Sequence, residues 1–380
     1  VGHLTGGISP APFPYFRIEE LQVRVLLLAT DFGSQYRALR CVAALDAEVF
    51  VLGSGAARSL ALSRYCKRFV PFSFQADDTA AAAAVEAIAA ELDIDMLVPA
   101  DLSGAEFLAR AKPHLHTPTF PLSDAAALEA IGTKDRFAET CRRLGVPHPA
   151  VTIFQDKAQL LQALFDGRIA LPLMLKPINR AGGVGVTRID EANAIQTVAS
   201  LNYAPILAQT FVEGTDRCIS LFCRGGVVLK QVVYEHGGGC FRFFDDAALA
   251  HAAARFVSAL NLSGLINFDA RIDRHGKIWM IECNPRFTFN MDVAMVAGIN
   301  FANLTGTQGS PRVVASQEIR IPKALLRALL RFRQPRAADL RMLLHWLKDP
   351  LMFALVSIGY QQHWRLPLFE KVMTSGKCAG

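Results

Sequence analysis

The stretch from Gly264 to Arg286, GLINFDARIDRHGKIWMIECNPR, limits what this chain can fold into more than any other. Two apolar-rich runs flank Arg274-His275-Gly276-Lys277, the pattern of a β-hairpin with a short connection. With that connection at the centre, Asp273 faces Ile278 across the ladder and Asp269 faces Glu282. Opposed residues lie roughly 5 Å apart at Cβ, where like charges repel unless something sits between them. Side chains alternate with period two, so Asn284 and, in continued extension, Arg286 share the face of Glu282. One side of the hairpin thus collects two carboxylates, an amide oxygen and a guanidinium. Hard oxygen donors of this kind suit Mg²⁺, which keeps waters and completes its shell with substrate phosphates. A solvated hairpin face with two chance acids reads the same way, so the rest of the chain must decide.

Upstream, the apolar run Val23 to Leu28 leads into Ala29-Thr30-Asp31-Phe32-Gly33-Ser34, then a helical pattern (Tyr36 to Leu45) and a second strand pattern (Glu48 to Leu52). That order is the βαβ signature of a parallel sheet, whose strand ends bind ligands. The turn lacks GxGxxG, which argues against a dinucleotide. An alanine-rich helix (Asp78 to Leu92) precedes another strand ending at Asp101, which reads either as a substrate contact or as a helix N-cap.

Thr133-Lys134-Asp135-Arg136 opens a helix closed by Gly145. A lysine in a first turn opposes the helix dipole, and phosphate binding would explain it. Lys176 ends the apolar strand Leu171 to Pro177, where it reads as an anion ligand or as a snorkelling side chain. Arg180-Ala181-Gly182-Gly183-Val184-Gly185-Val186 follows, with the makings of an anion-binding nest but without the P-loop pattern. Pro205 to Asp216 is a strand entering a glycine turn. Cys218 to Cys223 and Val227 to Tyr234 form a hairpin around Arg224-Gly225-Gly226, which argues for an antiparallel sheet distinct from the first. A helix (Asp246 to Leu260) then returns the chain to the opening hairpin.

With these pieces in order, the sequence resembles the ATP-grasp superfamily of carboxylate–amine/thiol ligases, over roughly residues 24 to 305. It is most similar to the branch of carbamoyl-phosphate synthase, D-alanine–D-alanine ligase and biotin carboxylase. The resemblance makes Lys134 and Lys176 the two nucleotide-binding lysines. Arg180, Gly182, Gly183 and Gly185 become the mobile loop over the β- and γ-phosphates. It gives Gln209 and the backbone of Phe211 and Val212 to adenine, and Asp216 to the ribose. It further implies Asp269, Glu282 and Asn284 as ligands of Mg²⁺ (Mn²⁺ as the alternative), with Arg286 steadying an acyl phosphate. Glu235, His236 and Asn290 would lie near the acceptor substrate, or on a surface turn. The hinge has Gln209 and Asp216 where glutamates are common, and the glycine loop lacks the usual serine.

The fold class expected is mixed α/β and α+β. It comprises a leader (1–20), a Rossmann-like parallel-sheet domain (21–125), an ATP-grasp domain (126–310) with a lid at about 147–210, and a helical extension (311–380). The function implied is ATP-dependent joining of a small-molecule carboxylate to an amine, such as an amino acid or peptide-like compound. The alternatives are a kinase or carboxylase of the same fold, or a catalytically silent nucleotide-binding or membrane-peripheral protein.

At 52% hydrophobic and 19% charged the chain is globular, and the longest apolar run near its end, Leu351 to Tyr360, is about half a membrane span. The first residues lack a secretory pattern, and the eight scattered cysteines without CxxC spacing point to reduced thiols in the cytoplasm. A net charge of +6 favours anionic small ligands without demanding nucleic acid. A basic, leucine-rich region from Arg320 to Lys348 reads as short helices, split at Pro322 and Pro335, with leucines on the core and arginines solvated. Peripheral contact with an anionic membrane is its alternative. Oligomeric state is not legible, although a homodimer fits the resemblance.

Overall fold

The computed structural model describes residues 22–74, 78–178, 183–304 and 314–357. The expected leader, Arg180, Gly182 and Cys378 lie outside the described residues. The run RVLLLA forms β1 (Arg24–Ala29), followed by α1 (Gly33–Ala43), β2 (Glu48–Gly53), β3 (Cys66–Pro71), α2 (Asp78–Glu91), β4 (Met96–Pro99) and α3 (Leu102–Ala111). These strands make a parallel sheet in the order β3-β2-β1-β4. Alternate residues of β1 enter different cores, Val25 and Leu27 on one face and Leu26 and Leu28 on the other. A strand buried on both faces has to be apolar throughout, which is why β1 reads as an unbroken run.

Next come α4 (Ala125–Gly132), α5 (Lys134–Leu144), β5 (Val151–Phe154), α6 (Lys157–Phe165), β6 (Leu173–Pro177), β7 (Thr187–Ile189), α7 (Ala194–Ser200) and β8 (Ile206–Thr210). Four of these strands form a small antiparallel sheet, β5-β8-β6-β7, with its own core around Leu160, Leu175 and Val198. The chain continues through β9 (Gly214–Arg224), β10 (Val227–Gly237), β11 (Cys240–Phe244), α8 (Ala247–Ala259), β12 (Gly264–Asp273), β13 (Ile278–Asn284) and α9 (Met291–Ala297). It ends in β14 (Gln317–Arg320), α10 (Pro322–Leu329), α11 (Ala337–Leu347) and α12 (Pro350–Ser357).

The central sheet runs β13-β12-β9-β10-β11-β14. One face packs Ile219, Leu221, Ile266 and Phe268 under α4, α5 and α8. The other packs Phe222, Tyr234 and Leu265 into a core shared with β1 and α11. Gly264 opens β12 where a Cβ would lie 2.4 Å from the Pro121 carbonyl oxygen, so no other residue fits there.

Three expectations are corrected here. Arg320 belongs to a strand, so residues 317–320 extend the central sheet and do not begin a helical extension. Its neighbour in the sheet, β11, pairs with β10 around Gly238-Gly239, a hairpin additional to the two read from the sequence. The leucines of the last helices are also only partly buried: Leu325 is covered, whereas Leu326, Leu330 and Leu344 are exposed. No helix of the described residues is long and apolar enough to cross a membrane. The described cysteines are all free thiols.

The helices α1, α9 and α11 meet around one buried carboxylate. Asp292, fully buried, accepts from Arg37 at 3.0 Å and lies 3.2 Å from Arg40. The Arg40 guanidinium, itself buried, sits between the rings of Tyr36 and Trp346 at 5.2 and 4.7 Å. Removing the carboxylate leaves two buried cations uncompensated. Asp292→Ala should therefore lose about 3–5 kcal/mol in urea unfolding followed by tryptophan fluorescence. A loss below about 1 kcal/mol would show that water already screens the cluster.

Candidate active site

The hairpin β12–β13 places Asp269 directly opposite Glu282 and Asn267 opposite Asn284. The register beyond them differs by one from the simple count. Ile278 faces Ile272 rather than Asp273, because Ile281 is an extra residue, a β-bulge, between Met280 and Glu282. The bulge has a consequence for chemistry. It lets Met280 enter the core under α5 while Glu282, two residues on, points to the opposite face. Without it, burial of Met280 would drag Glu282 to the wrong side.

On that face the candidates converge. Lys134, the first residue of α5 and buried, brings its Nζ to 3.8 Å from Glu282 Oε1. The Asn284 amide donates to Asp269 Oδ2 at 3.4 Å, and its Oδ1 accepts from Arg286 at 2.8 Å. Lys176, buried at the end of β6, donates to Gln209 Oε1 at 2.7 Å, and Gln209 Nε2 lies 3.3 Å from His148 Nε2. Gln209 thus holds Lys176 in place, with both ends of its amide engaged. Burial pushes the Lys176 ammonium below the usual lysine range, with Glu282 opposing the shift and Lys134 adding to it. Arg286 is likewise lowered by burial, against the pull of Glu282, Asp101 and Asp269.

Asp269 carries the clearest electrostatic signature. Burial, then the facing Glu282, push its carboxyl up to about 6. The facing Asp269 and Glu282, together with the Asn284 oxygen, form a hard donor set that suits a divalent cation, which would offset the repulsion between the two acids. The residues present therefore fit Mg²⁺ or Mn²⁺, with the remaining ligands coming from water and phosphate.

The strand alternation extends this polar row in a way that the sequence alone did not indicate. Asp269 faces Cys218 on β9, and Cys218 faces Tyr234 on β10. Asn267 donates to Tyr234 Oη and Ser220 Oγ, each at 3.0 Å, and Asn290 donates to Tyr234 Oη at 2.8 Å. Asn267 was findable, since it lies two residues before Asp269. Cys218, Ser220 and Tyr234 reach the row only through the pairing of distant strands.

Other candidates lie further out. A cavity of about 630 Å³ is lined by Phe211, Val212, His148 and Trp279. The Phe211 ring lies beneath the guanidinia of Arg188 and Arg271, at 4.2 and 4.8 Å. The Phe211 N–H donates to the Pro172 carbonyl, and Asp216 accepts from Arg271 at 2.9 Å. Gly183 and Gly185 turn the chain with φ of +73° and +80°, conformations that favour glycine. Glu235 does not join the acids. It alternates to the opposite face from Tyr234 and pairs with Arg242 and with Arg217, the latter at 3.4 Å. His236 stacks on Phe241 and is exposed at the sheet's rim. Asp101 is the N-cap of α3, accepting from Gly104 at 2.9 Å and from Thr30 and Gln35, so the capping alternative describes its geometry.

A parallel-sheet unit, a small antiparallel sheet and a larger antiparallel sheet bearing paired acids make a recognisable combination. A family model described as "ATP-grasp in the biosynthetic pathway with Ter operon" matches residues 202–323. The chain has the ATP-grasp fold. Among ATP-grasp relatives it is 26% identical over 218 residues to the D-alanine–D-alanine ligase of Bordetella pertussis, covering 50% of this chain and 67% of that one. An L-amino acid ligase from Bacillus licheniformis superposes with a TM-score of 0.56 at 20% identity, covering 75% of this chain and 73% of the other. A carboxyaminoimidazole ribonucleotide synthase of Aspergillus clavatus, complexed with ATP, gives 0.57 at 18% identity, with 74% and 75% covered.

Asp269 yields a pH test of the cation fit. Its folded value lies above its ordinary 3.8, so folding disfavours ionisation. In metal-free protein this group's contribution is most favourable below about pH 4 and declines to about pH 6. Above that it costs on the order of 3 kcal/mol. In EDTA at pH 8, Asp269→Asn should therefore melt higher than the unsubstituted chain, and Mg²⁺ should raise the melting temperature of the unsubstituted chain only. Equal melting temperatures in EDTA would show that the two acids are already screened.

Proposed function

We propose that this chain is an ATP-dependent carboxylate–amine ligase that forms an amide bond and releases ADP and phosphate. The observation that carries the reading is the opposed pair Asp269 and Glu282, ringed by Lys134, Lys176 and Arg286. The chemistry requires two anions, a carboxylate and a triphosphate, to meet in line. Positioning and neutralisation of charge therefore supply most of the catalysis.

Asp269, Glu282 and Asn284 would hold the cation, which when bound neutralises phosphate oxygens. Lys134 and Lys176 bind the phosphates, and their burial makes each charge count for more than it would in water. Gln209 orients Lys176 rather than reading adenine, because its amide is already engaged. The purine stacks in the cavity beside Phe211 and meets the backbone at Val212, since the Phe211 N–H is bonded to Pro172. Asp216, presented by Arg271, takes the ribose hydroxyls. The turn at Gly183 and Gly185 covers the β- and γ-phosphates.

The substrate carboxylate attacks the γ-phosphorus, the bond to the β-phosphate oxygen breaks, and an acyl phosphate results. Arg286, held by Asn284 beside the acids, steadies it. An amine then attacks the acyl carbon, loses a proton, and expels phosphate. The carboxylate enters between the ends of β1 and β4, near Thr30 and Asp101, whose charge is felt by Arg286. Asn290, fixed by Tyr234, lines the acceptor side. The ligase names among the relatives support amino acids or peptides as substrates.

With ATP, Mg²⁺ and mixed amino acids, ADP release should require both a carboxylate and an amine. An ¹⁸O label in the carboxylate should appear in phosphate. Glu282→Ala should lower turnover about 10³-fold while its circular dichroism stays unchanged. AMP as the product, or a phosphorylated acceptor with no amine required, would overturn the ligase reading.

A further inference from the structure

Of the thirteen large apolar side chains exposed among the described residues, eight fall between Leu326 and Leu351. They are ordered. In α10, Leu326, Leu329 and Leu330 occupy the helix face opposite the buried Ala324, Leu325 and Ala328. In α11, Leu340, Leu344 and Leu347 follow i, i+4, i+7 spacing, opposite Met342 and Trp346, and Leu351 is exposed at the start of α12.

Phe332 lies between the two stripes, 98% exposed. The bonds Phe332 N–H to Leu329 O and Arg333 N–H to Ala328 O close α10 in a Schellman motif. That motif puts Phe332 at φ +55°, a position that glycine favours. An aromatic residue that is both conformationally disfavoured and wholly exposed does nothing for the fold.

The charge around these stripes is of one sign. From Ile321 to Ser357, seven lysines and arginines stand against two aspartates, a net +5 of the chain's +6. Both aspartates, Asp339 and Asp349, are buried, so apart from the pair of Arg336 with Glu318 the exposed charge of these helices is positive. Arg331 and Arg333 flank Phe332, and Arg341 and Lys348 run beside the α11 stripe. Pairing this surface with a second copy would set +5 against +5.

We propose that α10 to α12 form a docking surface for an anionic lipid bilayer. Phe332 and the leucine stripes enter the boundary between headgroups and acyl chains, and the guanidinia and ammonium groups engage lipid phosphates. None of these side chains belongs to the proposed catalytic machinery, so turnover serves as a control for folding.

The full chain should co-sediment with phosphatidylcholine vesicles that contain phosphatidylglycerol, but not with phosphatidylcholine alone. Binding should weaken as salt rises. Phe332→Ser and the pair Arg331→Gln/Arg333→Gln should each reduce partitioning about five-fold or more, with ADP release unchanged. Absence of vesicle binding, equal binding to neutral vesicles, or unaltered binding by both variants would overturn the proposal. So would lipid-free self-association abolished by Leu344→Asp, which would assign the surface to a second copy. Binding to polyglutamate as tight as to vesicles and indifferent to Phe332 would assign it to an acidic protein.

Discussion

Two carboxylates facing each other on adjacent strands are an unfavourable arrangement, and much of this structure is organised around making it tolerable. Asp269 responds by holding its proton to about pH 6, and the surrounding cations respond by proximity. Lys134 arrives from the start of a helix, Lys176 from the end of a lid strand, and Arg286 from the segment after the hairpin. Three separate parts of the chain therefore converge on one pair of acids. Lys134 and Lys176 are buried and the acids half-buried, so cations and acids depend on one another more strongly than they would on a surface. A site built this way binds a highly charged ligand by exchanging internal ion pairs for external ones, and pre-set geometry limits the reorganisation required.

The opposition of Asp269 and Glu282 was legible in the sequence because it is local. A hairpin with a short connection fixes its own register, and alternation then puts Asn284 on the same side. Even so, the simple count failed towards the turn, where Ile281 bulges out. No local residue preference signals that bulge. It follows from the need to bury Met280 on one face while presenting Glu282 on the other. The parallel sheet was legible for a related reason, since strands covered on both faces must be continuously apolar. What stayed hidden depends on non-local pairing. Tyr234, Ser220 and Cys218 join the polar row because β9 lies between β12 and β10, and nothing in their neighbouring residues reports it. Strand β14 was read as part of a helical region because its four residues, between apolar and basic stretches, carry no alternation long enough to register.

That strand changes what the C-terminal segment is. Once Gln317–Arg320 is paired to β11, the helices that follow are anchored to the central sheet rather than appended to it. The anchoring is electrostatic as well as apolar. Asp339, fully buried at the start of α11, accepts from the Arg320 backbone at 2.7 Å and from its guanidinium at 3.2 Å. Asp349 accepts from Tyr36 at 3.1 Å and, at 2.5 Å, from Ser63 of the parallel-sheet unit. With Asp292 holding Arg37 and Arg40, three buried carboxylates tie α9, α11 and the N-terminal unit together.

This bracing bears on how the site works. The crevice proposed for the substrate carboxylate lies between the N-terminal sheet and the central sheet, and both are fixed to the same C-terminal helices. Their separation is therefore set by a packed core containing Val25, Leu265 and Trp346, not by a flexible linker. The small sheet of β5 to β8 packs on a core of its own around Leu160, Leu175 and Val198. In the proposed reaction, closure over the phosphates would be a motion of this small sheet against a rigid base. Such a division suits chemistry in which the acyl phosphate must be shielded from water while the acids and Arg286 stay in register. The same rigidity holds the helical stripes of α10 and α11 at a fixed place on the base, so a membrane contact there would leave the lid free to move.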